Sequence, residues 1–348
     1  MSKDEPITEP RPEVLRQVDA IRSETRRVLA GLLDPAEPVA LLDFPNHANA
    51  GDVLIHSGER AYLDELGIDV AYEASLETYD GQVLARRLPS GPILLHGGGN
   101  FGDRYAPYQE FRERIVAEHP DRRIIVLPQS MEYRSEENLQ RTRSVYSRHP
   151  ALTLLIRNAA MCERVRGHFP RNRVLYCPDL AFGHGPIRAP EPQIDVVVLR
   201  RTDSESAHRG GDVLAGLPED TLEIDWGFDQ FGEDLRWWPR ALLVRWLNVP
   251  GVLRHRAHEF TARTFAKQTQ VIVDNAVSKL AHGRVVVTDR LHAGVYRALM
   301  GRPVVMVDNA NGKLSAAYRD YLHRFAVVSI ASDFDDAARR AQEILSGT

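Results

Sequence analysis

The chain has 348 residues, 43% hydrophobic and 26% charged, with a formal net charge of −4 at pH 7. This length suits two domains with full cores, and this composition excludes a largely disordered chain. Two cysteines exclude a disulfide scaffold, the slight acidity leaves no electrostatic footprint for nucleic acid, and no apolar run reaches the roughly 18 residues of a membrane span.

Residues 1–35 read as a polar, proline-rich tail (MSKDEPITEPRPE) without an apolar leader segment, followed by a leading helix; a cytoplasmic location is expected. Residues 36–188 alternate short β-branched runs with stretches of helical period. Strands are predicted at Val39–Leu42, Asp69–Tyr72, Pro92–His96, Ile124–Leu127, Leu152–Ile156 and Val174–Tyr176. Helices are predicted at Val53–Glu65, Tyr108–Glu118, Glu136–Ser147 and Ala159–His168. Such alternation builds βαβ units around a parallel sheet with helices on both faces. Gly183–Pro192, dense in glycine and proline, marks the linker.

Residues 189–348 repeat the pattern. Strands are predicted at Asp195–Leu199, Val285–Val287, Val304–Val307 and Ala326–Ser329. Helices are predicted at Ala266–Ala281, Leu291–Met300, Lys313–His323 and Asp335–Leu345, the last packing back on the N-terminal half. The expected class is α/β, with two Rossmann-like domains and parallel sheets. Residues 226–262 stand apart: they hold all four tryptophans (Trp226, Trp237, Trp238 and Trp246) among arginines. They read as an inserted helical pair packed on the core, with a membrane-surface helix as the alternative.

Ligands of such folds bind beyond the carboxyl ends of the strands, so the loops there carry the candidate chemistry. NHANAGD (Asn46–Asp52) leads a strand into a helix and sets Asn46, Asn49 and Asp52 beside open helix N–H groups; capping by Asp52 explains the same residues equally well. HGGGNFGD (His96–Asp103) follows another strand. Three consecutive glycines cost entropy and are tolerated where a ligand approaches the backbone closely. The run is neither a dinucleotide fingerprint nor a P-loop. LPQS (Leu127–Ser130), where Pro128 is expected to end the strand, and CPDLAF (Cys177–Phe182) bring Gln129, Ser130 and Asp179 to the same rim.

In the C-terminal half Arg200 and Arg201 end one strand, Asp289-Arg290-Leu291-His292 joins the next to a helix, and Asp308-Asn309 precedes Lys313. Arg201, Arg290, His292 and Lys313 then share one rim, a set of cations suited to a phosphate or a carboxylate. No HExxH, CxxC or EF-hand spacing supports a metal, and Cys162 and Cys177 lack a nucleophile's setting.

The ordered motifs NHANAGD, HGGGNFGD, LPQS, PDLAF, LRRTD, TDRLHA and VDNANGKL resemble the polysaccharide pyruvyl transferase family from about Asn46 to Leu322. The resemblance implies a GT-B-like pair of Rossmann domains. It implies transfer of the pyruvyl group of phosphoenolpyruvate (PEP) to a sugar, as a ketal on a cell-envelope or exopolysaccharide glycan or its precursor. It places Arg201, Arg290, Leu291, His292 and Lys313 on PEP, and Asn46, Gly98, Gly99, Asn100 and Gln129 on the acceptor. His292 is then general acid or phosphate ligand, and Asp52 or Asp103 the base for the sugar hydroxyl.

The expected partners are PEP and a free or lipid-linked sugar, with no cofactor, no metal and no nucleic acid. Membrane contact through 226–262 would bring the protein to the inner face of the membrane. Two other readings are a GT-B-type glycosyltransferase using a nucleotide sugar and an inactive scaffold of envelope-glycan synthesis.

Overall fold

The computed structural model describes residues 7–201, 214–226, 252–308 and 312–347, the side chains of 252–257 excepted. Strand β1 (Ile7–Thr8) pairs antiparallel with Ala189–Pro190, so part of the expected loose tail is anchored. Pro12, preset for the first helical position, starts α1 (Pro12–Ala30). There follow β2 (Val39–Leu42), α2 (Ala50–Glu65), β3 (Val70–Ala74), α3 (Gly81–Arg87), β4 (Ile93–Leu95), β5 (Gly98–Gly102) and α4 (Ala106–Glu118). The half closes with β6 (Ile124–Glu132), α5 (Glu136–Tyr146), β7 (Leu152–Ile156), α6 (Ala159–His168) and β8 (Arg173–Tyr176). Its seven-stranded parallel sheet has the order β3-β2-β4-β6-β7-β8, with β5 also paired to β6. The VALL run of β2 is buried at every position, as a strand covered on both faces must be.

A short 3-10 turn (Leu180–His184) and β9 (Ala189–Pro190) lead into the second half. It comprises β10 (Ile194–Leu199), β11 (Thr221–Ile224), α7 (Val252–Ala281), β12 (Gly283–Thr288), α8 (Leu291–Met300), β13 (Val304–Val307), α9 (Lys313–Asp320), β14 (Val328–Ala331) and α10 (Phe334–Ser346). The five-stranded sheet, order β11-β10-β12-β13-β14, is parallel throughout. The α/β class and the two parallel sheets agree with the alternation read from the sequence.

Several elements differ from expectation. Pro128 does not end its strand: β6 runs through it. Up to Val126 the strand pairs with β4, and from Gln129 it pairs with β5. The ladder to β7 shifts register between Val126 and Gln129, and a residue without an N–H fits there. The last helix, α10, does not return to the N-terminal half. Its stripe of Phe334, Ala337 and Ala341 packs with Val196, Val285 and Val305 of its own sheet, which immediately precedes it in the chain. Helix α7 is far longer than the predicted Ala266–Ala281. Of the tryptophan-rich stretch, Trp226 follows β11 and residues 252–262 belong to α7, whereas Trp237, Trp238 and Trp246, and with them most of the expected helical pair or membrane helix, lie outside the described residues.

One apolar cluster joins the halves. It includes Ile21 of α1, Val53 and Leu54 of α2, Phe182, Tyr296 of α8 and Leu314 of α9, all fully buried. Among the described residues no helix is long and apolar enough to cross a membrane.

Candidate active site

The carboxyl ends of both sheets open on one cavity of about 410 Å³. The N-terminal half lines it with His47, Asn49, Gly51, Asp52, Gly99, Asn100, Tyr105, Tyr108 and Arg157. The C-terminal half contributes Arg201, Trp226, Arg290, Leu291, His292 and Lys313.

The start of α2 forms one wall. Asn49, not Asp52, caps this helix: its Oδ1 accepts the Gly51 N–H at 3.0 Å, and its Nδ2 donates to Asp52 Oδ2 at 2.9 Å. Asp52 is thereby left with its carboxylate at the cavity, His47 Nε2 3.7 Å away.

The glycine run forms the floor, as strand β5 and not as a loop. Gly102 has φ +145°, and a β-carbon there would fall 1.7 Å from the Glu132 carbonyl oxygen, so the pairing with β6 admits only glycine. A β-carbon on Gly99 would stand 3.8 Å from Arg157 Nη2 and 4.0 Å from Lys313 Nζ, so this glycine opens space under two cations.

A buried network holds the run from below. Glu59 of α2 accepts the Gly97 N–H at 2.8 Å and contacts His96 Nδ1 at 2.8 Å. His56 lies 3.6 Å from the same carboxylate and, through Nε2, 3.0 Å from Glu73. Burial alone would raise the Glu59 pKa, but the two imidazoles outweigh it and hold it down at about 2. For His56 burial works downward, and the neighbouring Glu59 and Glu73 carboxylates outweigh it, raising the pKa to about 9. His56, Glu59 and His96 are close enough together to ligate a divalent cation, a grouping that no sequence spacing announced.

On the opposite wall, Asp289 accepts the Arg201 backbone N–H at 2.7 Å and so ties the ends of β10 and β12 together. Its burial raises the carboxyl pKa. Arg290 Nη2 lies 2.9 Å from Asp225 Oδ1, after β11. Of the two arginines that follow β10, Arg200 pairs with Glu223 at 2.5 Å, and Arg201 lines the cavity. Lys313 Nζ stands 3.5 Å from Glu132. Asp308 caps α9 by accepting from the Leu314 and Ser315 N–H groups.

The two walls meet at a buried ion group. Asp179 Oδ2 lies 2.7 Å from Arg157 Nη1 and 3.3 Å from His292 Nε2. Burial would push the Asp179 pKa up, but Arg157 and His292 outweigh it and hold the carboxyl far below the usual range. Arg157 is steadied by Ser130, whose Oγ accepts from Nε at 2.9 Å.

The structure therefore brings together Asp52, Gly99, Asn100, Arg201, Arg290, Leu291, His292 and Lys313. Four other expected site residues stand outside the lining. The Asp103 carboxylate accepts the Arg134 and Ser135 N–H groups, each at 2.8 Å, and Asn138 Nδ2 at 3.1 Å, and so secures the start of α5. So engaged, it faces the start of α5 and not the cavity. Gln129 is fully buried: it donates to the His96 carbonyl at 2.6 Å and accepts from the Asn100 N–H at 3.1 Å, supporting the glycine run rather than facing an acceptor. Asn46 and Gly98 also lie off the lining. Arg157, His47, Tyr105, Tyr108 and Trp226 escaped sequence reasoning as site residues. The position of Arg157 directly after the buried strand LTLLI was the one available signal.

A family model described as polysaccharide pyruvyl transferase matches residues 49–311. Pyruvyl transferase 1 of Schizosaccharomyces pombe is 32% identical over 318 residues, covering 86% of this chain and 74% of that one. EpsO of Bacillus subtilis is 30% identical over 295 residues, covering 83% of this chain and 87% of that one. The crystal structure of a functionally uncharacterized Klebsiella pneumoniae protein superposes with a TM-score of 0.55 at 15% identity, over 90% of this chain and 99% of that one, a likeness of fold alone.

Proposed function

The chain belongs to the polysaccharide pyruvyl transferase family, and on that premise we propose that it transfers the pyruvyl group of PEP to two hydroxyls of one sugar, closing a cyclic ketal. The observation that supports this reading is the charge of the cavity. Among the described residues Arg157, Arg201, Arg290 and Lys313 line it together with His292, and Asp52 is the lining carboxylate, while Asp179, Asp225 and Glu132 behind the wall pair with Arg157, Arg290 and Lys313. A small molecule with both a phosphate and a carboxylate matches such a set, and arginine forks bind both groups in two-point fashion. The acceptor sugar takes the α2 side, where Asn49 and Asp52 offer hydrogen bonds and Tyr105, Tyr108 and His47 offer rings for its apolar face.

The reaction balances as follows. His292 delivers a proton to C3 of PEP, and positive character develops at C2. A sugar oxygen bonds to C2, its proton passing to Asp52. Phosphate leaves with the electron pair of its bond to C2, stabilised by the cations around it. A second hydroxyl of the same sugar takes its place and closes the ring. Of the two hydroxyl protons released, one restores His292 and the other leaves with phosphate.

Calorimetric titration with PEP, UDP-glucose serving as control, tests the donor. PEP is expected to bind and UDP-glucose to give no heat. The reverse result would convert the reading into nucleotide-sugar glycosyl transfer. Release of inorganic phosphate on addition of sugar acceptors then tests the transfer itself.

A further inference from the structure

We propose that Asp179 is a positioning residue: its carboxylate holds His292 with the proton on Nε2, so that Nδ1 is the ring atom that exchanges a proton at the cavity. The chemistry rests on the pyruvyl-transfer reading; the geometry does not.

Asp179 is fixed at both oxygens and 1% exposed in its side chain. Oδ1 accepts the Ala181 N–H at 3.0 Å and caps the turn Leu180–His184, and Oδ2 faces Arg157 Nη1 at 2.7 Å and His292 Nε2 at 3.3 Å. One competitor exists. Arg157 Nη1 also lies 3.4 Å from His292 Nε2, so a bare Nε2 could accept from it. Nη1 carries two N–H groups, so its contact with Asp179 does not decide the tautomer; Oδ2 does. A bare Nε2 would set its lone pair against Oδ2, two buried acceptors with no hydrogen between them. With the proton on Nε2, both lone pairs of Oδ2 are used, one by Arg157 and one by His292.

The other nitrogen lies at the cavity-lining Gly51: a β-carbon there would fall 2.7 Å from Nδ1. When the imidazolium gives its Nδ1 proton to C3 of PEP, the N–H pair stays on Nδ1. The neutral ring that remains already has the hydrogen-bonding pattern Asp179 requires, so the step needs no ring flip. A carboxylate that fixes one tautomer in this manner is worth about 10⁴-fold in rate where it has been removed.

The test is two-bond ¹H–¹⁵N correlation on the full chain labelled with ¹⁵N-histidine, the His292 signals being assigned by their loss in His292→Gln. The neutral ring is expected to carry its proton on Nε2. In Asp179→Asn, the amide oxygen stays with the Ala181 N–H, the NH₂ takes the place of Oδ2 and faces the ring, Arg157 loses its acceptor, and the proton is expected to move to Nδ1. The turnover number should then fall about 10²- to 10⁴-fold with KM for PEP changed less than about threefold. A wild-type ring protonated on Nδ1, or an Asp179→Asn variant that keeps both tautomer and turnover, would overturn the proposal. If Asp179→Asn does not fold, the wild-type tautomer decides alone. Failure of PEP to bind the wild type would instead defeat the pyruvyl-transfer reading, and the tautomer measurement would stand apart from it.

Discussion

Gly51 and His292 belong to different halves of the chain, yet a β-carbon on Gly51 would fall 2.7 Å from His292 Nδ1, 3.1 Å from Cγ and 3.2 Å from Cβ. The contact reaches the base of the imidazole as well as its edge, so a rotamer adjustment cannot relieve it. Gly51→Ala should therefore displace the ring and lower turnover by about 100-fold, the scale of a misplacement near 1 Å. Stability should fall only modestly, because alanine is the better helix former and offsets part of the strain. Thermal unfolding alongside phosphate release checks both, and a fully active Gly51→Ala protein would refute the contact.

Arg290→Ala and His292→Ala should each cut activity by at least about 100-fold, the range for loss of a key electrostatic or proton-transferring group. Arg290→Ala should in addition abolish the heat of PEP binding. The Asp225 carboxylate it leaves behind is largely exposed, so the fold should survive. Full activity in both folded variants would refute the site.

Asp103→Ala should behave in the opposite way. Its carboxylate is taken up by two backbone N–H groups and Asn138 at the start of α5. Loss of these hydrogen bonds to an ionised carboxylate costs about 1–2 kcal/mol. Urea unfolding should register that loss while turnover of the folded protein stays within about threefold, since the carboxylate acts on the segment before α5 and not on the cavity. A turnover loss as deep as that of His292→Ala would restore Asp103 to the reaction.

The buried network under β5 makes stability depend on pH. The His56 pKa is raised from 6.5 to about 9 because Glu59 and Glu73 outweigh the effect of burial. A raised pKa means that the folded state binds this proton more tightly, so the contribution is whole below about pH 6.5 and is lost as pH rises through about 9. Urea midpoints should fall across that interval in the wild type and fall less steeply in His56→Asn. Parallel declines would show that other groups govern the effect.

Much of the fold was legible because the strands buried on both faces are near-continuous apolar runs: Val39–Leu42, Leu152–Ile156 and Val304–Val307 agree with the structure residue for residue. Strand β5 was not legible. GGNFG has neither the alternation nor the β-branched content of a strand, and its pairing depends on β6 continuing past a proline. In the site, Arg290, His292 and Lys313 could be found because each follows a clear strand. Asp103 and Gln129 sat in equally suggestive motifs but are consumed by hydrogen bonds to distant backbone, and partners of that kind leave no mark on local sequence. Arg157 illustrates the converse. It occupies a strand end like the others, but nothing beside it in sequence points to Asp179, 22 residues away, or to His292 in the other half.

Because the glycine run is paired to β6 and its Gly97 and Asn100 N–H groups are held by the buried Glu59 and Gln129 side chains, its backbone is set by the fold. A flexible glycine-rich loop must be ordered anew each time a ligand arrives, and affinity is lost to that ordering. In this protein the ordering is complete once the chain has folded, so the floor of the cavity meets its ligand already in shape. Adaptation to ligands of different outline then falls to the rim, where the exposed Tyr105 stands on the short connection between β5 and α4.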